Sequence, residues 1–183
     1  MTTYPIHTVE TAPDGSKPAQ EGLRQVLGLI PNLAATMANS PPLVNSFVAA
    51  FGQFAGGTLG GGERQILLLS NAVANSSAWA VAFHSTMALK EGVDPHDVDA
   101  VRHGGLPSDP RLAALSALTR ALIEQRGHLD TVDAKAFTAA GFDDNQLLEV
   151  ITGVAISTMA NYTGNIARPP LEEPFRAQAW TVE

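Results

Sequence analysis

An all-α fold is what the 183-residue sequence predicts. Three observations predict it. Apolar residues recur at helical spacing along most of the chain, and Asp-Pro and Ser-Pro-Pro signals precede several of these stripes. No alternating apolar/polar run of useful length competes with them, so no sheet is expected.

Taken in order, residues 1–18 form an extended arm, because Pro13, Gly15 and Pro18 punctuate them. A helix from about Ala19 to Leu29 then places Leu23, Val26, Leu27 and Ile30 on one side, and Pro31 is suited to open the next. Ser40-Pro41-Pro42 supplies a cap and break. Leu43, Phe47, Phe51 and Phe54 follow as a stripe. The glycine-rich run Gly56–Gly62 precedes a helix from about Glu63 to Asn75. It lacks both the strand–GxGxxG–helix context and the Gly-Lys-Ser/Thr ending of a phosphate loop, so a turn is expected.

A helix over about Ser77–Glu91 stops at Gly92, with Ser77 placed to cap it. Asp94-Pro95 and Asp109-Pro110 each start another. Leu112, Leu115, Leu118, Leu122 and Ile123 are the apolar face of the second. Two more helices span Thr131–Ala139, capped by Asp130, and Asp143 to about Ala167. The last has an expected apolar face of Leu147, Leu148, Val150, Ile151, Val154, Ile156 and Met159. The chain thus divides into an arm (1–18), a helical domain (19–168) and a tail (169–183) whose Phe175 and Trp180 suit docking on their own domain or on a neighbouring subunit.

Composition narrows the function. Eighteen acidic against eleven basic side chains give a net charge of −7, which argues against a nucleic-acid partner because phosphate recognition needs a basic surface. The start has no basic, apolar leader, and Ser70, Asn71, Asn75, Ser76 and Ser77 interrupt the most apolar stretch. A cytoplasmic protein without a membrane partner is therefore expected. There is no cysteine, which excludes disulfides, thiolate metal sites and thiol chemistry by the chain's own residues. The five histidines are scattered with no His-x-x-x-His pair, so neither a metal nor another cofactor is expected. Asp97, Asp99, Asp143 and Asp144 are expected as helix-start acids.

The most informative segment is Gly62-Glu63-Arg64-Gln65, running on through Ser77, Trp79 and Ala80 to His84-Ser85. It resembles the core of the alkylhydroperoxidase D and carboxymuconolactone decarboxylase superfamily. Pro31-Asn32-Leu33, Ser40-Pro41-Pro42-Leu43, Asp109-Pro110-Arg111-Leu112, Ala140-Gly141-Phe142 and Asn161-Tyr162-Thr163-Gly164-Asn165 extend the likeness to the peroxidase-related branch, over about residues 20–172. The resemblance implies an oligomeric helical bundle, with dimers, trimers and hexamers all known in the family.

It also exposes a departure. The two family cysteine positions fall on Ser77 and Ala80, the proton-relay glutamate on Gln65, and only the histidine is kept, as His84. A serine hydroxyl forms no disulfide and glutamine does not titrate, so thiol-dependent peroxide reduction is not expected. Ser77 and His84 are also too far apart along one helix, roughly 10 Å, for a nucleophilic pair. The expected function is a cofactor-free acid/base enzyme of decarboxylase, lyase or isomerase type. In it His84 is the catalytic group, Gln65 and Ser77 bind a small-molecule substrate, and Trp79 is an apolar wall. The competing expectation is a non-catalytic ligand-binding or assembly protein of the same fold. Asn161 and Asn165, four apart, either tie helices together or line the cavity of His84.

Overall fold

A computed structural model describes residues 4–181; residues 1–3 of the expected arm and 182–183 of the expected tail lie outside them. The described residues form helices and no strands. The helices are α1 (Lys17–Leu27), α2 (Asn32–Met37), α3 (Pro41–Ala55), α4 (Gly61–Ala74), α5 (Ala78–Lys90), α6 (Pro95–Arg102), α7 (Pro110–Glu124), α8 (Thr131–Ala139) and α9 (Asp144–Ala167). Short 3-10 turns occupy Asp14–Ser16 and Glu173–Gln178.

The start signals act as the sequence implies. Asp94, Asp109, Asp130 and Asp143 each accept backbone N–H bonds in the first turn of the helix that follows, which satisfies donors with no intrahelical partner. Gln146 returns a bond to the Asp143 N–H and completes a capping box. α1 ends at Gly28 with φ 75°, a left-handed conformation that glycine adopts without strain. Ser40 and Ser77 precede α3 and α5 but make no capping bond with their side chains, contrary to expectation. Pro31 stands one residue ahead of α2 rather than inside its first turn.

α4 begins two residues earlier than its periodicity suggests. Glu63 accepts the Gly60 N–H at 2.7 Å, which draws Gly61 and Gly62 into the helix. The glycine run before it is fastened rather than loose. Glu149 of α9 accepts the backbone N–H groups of Thr58 and Leu59 and the Thr58 hydroxyl. A β-carbon on Gly57 would come within 2.7 Å of that carboxylate.

The core lies around α4, which packs against α5, α7 and α9. Ile66, Leu67, Leu69 and Ala72 are fully buried there. Gly153 lets α9 approach: a β-carbon on it would lie 2.6 Å from Leu67 Cδ2 and 3.2 Å from Phe54 Cε2. Asn161 and Asn165 take the first of their two expected roles. Asn161 donates to Asn71 Oδ1 at 3.0 Å and Asn165 to the Asn75 carbonyl at 2.8 Å, tying α9 to α4.

Three apolar assignments do not hold. Val26 is 76% exposed, and Leu148 and Ile151 of α9 are 61% and 48% exposed. Spacing finds a helix readily, but it misplaces the edge of a face when a stripe is broad. Asp97 is a helix-start acid as expected, in the first turn of α6, and has a second role besides. It is buried and accepts the N–H and the hydroxyl of Ser108, pinning the loop ahead of α7.

The tail docks on its own domain. Phe175 is buried, edge-on to Trp79 and Phe83 at 6.2 and 5.0 Å between ring centroids. The Trp180 indole donates to the Arg102 carbonyl, and Arg102 donates back to the carbonyls of Gln178 and Ala179. No described helix is long and apolar enough to cross a membrane.

Candidate functional site

His84 sits in the second turn of α5, on one face with the buried Ala80 and Ala88. It is 8% exposed. Its Nδ1 lies 3.0 Å from Gln65 Oε1 on α4. A carboxamide oxygen only accepts, so His84 Nδ1 carries the proton and Gln65 fixes the tautomer. Nε2 is then the unprotonated nitrogen, and it has no hydrogen-bond partner among the described residues.

Burial pushes the His84 pKa down from its ordinary value to about 3. No carboxylate touches the ring to offset the loss of hydration, because the residue that meets Nδ1 is an uncharged amide. His84 is therefore neutral throughout the physiological range. It can accept a hydrogen bond or a proton, but it brings no proton of its own to Nε2.

His84 lines a cavity between α1, α2, α3, α4, α5 and α9. Phe47, Phe51, Trp79 and Phe83 form its aromatic walls, and Leu68, Ala80 and Ile156 fill in between. Its volume is about 50 Å³, against the ~10–15 Å³ that one water needs on the same measure. No charged side chain lines it among the described residues.

Trp79 is half of a second arrangement. Its ring stacks on Phe83 at 5.1 Å, and its indole N–H donates to Glu172 at 3.0 Å. Glu172 also accepts the Asn32 N–H at the start of α2. One carboxylate of the tail thus holds both the tryptophan wall and the helix behind it.

The four residues singled out from sequence end up in different places. His84 and Trp79 line the cavity, and Gln65 reaches it only through its bond to the imidazole. Ser77 is not among the lining residues. It is fully buried, with its hydroxyl against Gly164 of α9 and without a hydrogen-bond partner among the described residues. Ala80, the other position that the resemblance matches to a cysteine, does open onto the cavity. Periodicity gave no sign of Phe47, Phe51 or Ser157 as cavity residues; they look like ordinary core positions until α3 and α9 are brought against α5.

Residues 41–121, spanning α3 to most of α7, match the carboxymuconolactone decarboxylase family. That segment holds Gln65, Trp79 and His84, the centre of the site. The segment is similar to that family, and it contains no cysteine.

The chain also resembles solved structures over nearly its full length. One is the alkylhydroperoxidase AhpD core of an uncharacterized peroxidase-related protein from Ralstonia eutropha JMP134. It is 20% identical, with a TM-score of 0.81, and 94% of this chain and 93% of that one are covered. A second uncharacterized peroxidase-related protein, from Silicibacter sp. TM1040, is 16% identical with a TM-score of 0.79, covering 97% and 94%. The third is a cysteine-to-alanine variant of the debrominase Bmp8 in complex with 2,3,4-tribromopyrrole, 19% identical with a TM-score of 0.78, covering 97% and 95%. No curated protein matches the sequence. At these identities the likeness establishes the all-α, alkylhydroperoxidase D-like fold.

Replacing Gln65 by Glu would restore a carboxylate at Nδ1. Its negative charge stabilises the imidazolium, so the His84 pKa is expected to rise by about one to three pH units. The imidazole carbon-bound protons, followed by NMR across a pH titration, measure this. An unchanged titration would show that the side chain at 65 does not govern the ring.

Proposed function

We propose that this chain binds a compact, uncharged organic molecule in the aromatic cavity, where neutral His84 Nε2 accepts a hydrogen bond from a ligand N–H or O–H. The observation that carries this reading is the Gln65–His84 bond inside a cavity lined by no charged residue among those described. A carboxylate ligand would lose its hydration there and gain no cation in return. The expectation of a decarboxylase acting on an organic anion is therefore the least favoured of the enzyme types. The tribromopyrrole of the debrominase neighbour is a compact heteroaromatic N–H donor, the chemical type this cavity suits. Debromination by a thiol is not available to a chain without cysteine.

One observation favours a second reading, an acid/base enzyme of isomerase or lyase type. Gln65 holds the proton on Nδ1, so Nε2 is a single oriented lone pair that can take a proton from a substrate and return it to another atom. With a pKa of about 3, the imidazole is a weak base. Such a reaction requires negative charge developing on the substrate to hold the imidazolium.

Calorimetric titration with 4-ethylphenol, an uncharged O–H donor, and benzoate, an anion of similar size, tests the proposal. The phenol is expected to bind with benzoate at least ~10-fold weaker, and His84→Leu to weaken the phenol by about 10-fold. Equal binding of both, or phenol binding indifferent to His84→Leu, would overturn it. Catalysis would be recognised by His84-dependent exchange of substrate hydrogens with deuterated solvent.

A further inference from the structure

Ser157 lies on α9, 3% exposed, and lines the same cavity as His84. Its hydroxyl has no hydrogen-bond partner among the described residues. That is unusual within this molecule. The helical hydroxyls of Thr36, Ser70, Thr86, Thr119, Thr158 and Thr163 each donate to the carbonyl four residues earlier, at 2.7 to 2.9 Å. Ser157 has the same option open to it and does not take it. A buried hydroxyl without a partner is destabilising, and here it belongs to a residue lining a cavity that is otherwise apolar apart from His84.

We infer that Ser157 is a specificity-determining residue of the cavity, donating its hydroxyl proton to an acceptor atom of the ligand. The inference rests on the reading of the cavity as a binding site and sharpens its substrate class. The ligand is a compact ring that carries an N–H or O–H donor for His84 Nε2 and, elsewhere on its frame, a carbonyl-type acceptor for Ser157. The two contacts are complementary in chemistry. His84 in its neutral tautomer only accepts at Nε2, and Ser157 supplies a donor among the polar groups that line the space.

Matched ligands separate this inference from the reading beneath it. At about pH 6.5 the probes are 3- and 4-hydroxyacetophenone against 3- and 4-ethylphenol, which replace the ketone by a methylene of similar size. Wild-type protein is expected to bind at least one ketone about 5- to 10-fold more tightly than its ethyl counterpart, as one hydrogen bond gives. Ser157→Ala is expected to abolish that preference, weakening the ketone about 5- to 10-fold more than its ethyl counterpart. Without ligand it is expected to raise Tm by about 2–4 °C, since it removes an unsatisfied buried hydroxyl.

A ketone preference that survives Ser157→Ala overturns the role of Ser157 alone, as does its absence from wild-type protein that binds ethylphenol in a His84-dependent way. A fall in Tm, with both probe types weakened equally, shows a structural hydroxyl and also overturns it. Failure of every probe to bind wild-type protein removes the cavity reading, and this inference with it.

Discussion

Replacing His84 by Gln is expected to make the protein markedly less sensitive to acid. The imidazole titrates near 6.5 when unfolded and near 3 when folded, because burial disfavours its charged form. Between those values the unfolded chain binds one more proton than the folded one, so stability falls as pH drops from 6.5 towards 3. At pH 4 this term alone amounts to about 3 kcal/mol, at 1.36 kcal/mol per pH unit. Glutamine preserves an N–H donor for Gln65 Oε1 but does not titrate. Urea unfolding at pH 7 and pH 4 should therefore show a loss smaller by about that amount in His84→Gln than in wild type. Parallel losses in the two proteins would mean that the folded imidazole titrates normally, and the neutral-acceptor reading of the site would fall with that result.

Phe175→Ala is expected to destabilise the protein by about 3 kcal/mol or more, the usual cost of removing a buried phenylalanine. Phe175 is 3% exposed and contacts two of the cavity's aromatic walls, Trp79 and Phe83, edge-on. In a chain of this size the loss corresponds to a fall in Tm of roughly 10 °C, readable by calorimetry. The same change should loosen Trp79, so its indole fluorescence should become more open to quenching by acrylamide. A Tm within 2 °C of wild type would show that the tail does not support the wall.

Much of the fold was legible because its signals are local. An Asp ahead of Pro95 or Pro110 needs no tertiary information to act as a cap, and the stripes on α3 and α7 follow from spacing alone. His84, Trp79 and Gln65 were found because they sit at recognisable offsets in one contiguous segment. The remainder depended on contacts between distant residues. Nothing near Glu149 in sequence announces that it fastens Thr58 and Leu59, and nothing near Glu172 that it meets Trp79. Ser77 shows the opposite difficulty. Its offset from His84 suggested a shared site, yet it stands at the head of α5 with its side chain turned to Gly164 and away from the cavity. Ser157 gave no local signal, since a serine in an apolar helical run is ordinary until its neighbours are known.

Helix α2 has only six residues, and segments far apart in sequence are stitched to it and its flanks. His7 donates its backbone N–H to the Ala35 carbonyl and Asn39 bonds the Pro5 carbonyl from one side, while Glu172 and Pro170 meet Asn32 from the other. So short a helix has little stability of its own, and half of its clasp is formed by residues about 140 positions downstream. This half of the clasp closes only once those downstream residues have been made. Completing the wall of the cavity beside it therefore depends on closing a long loop, a non-local contact of the kind that forms slowly.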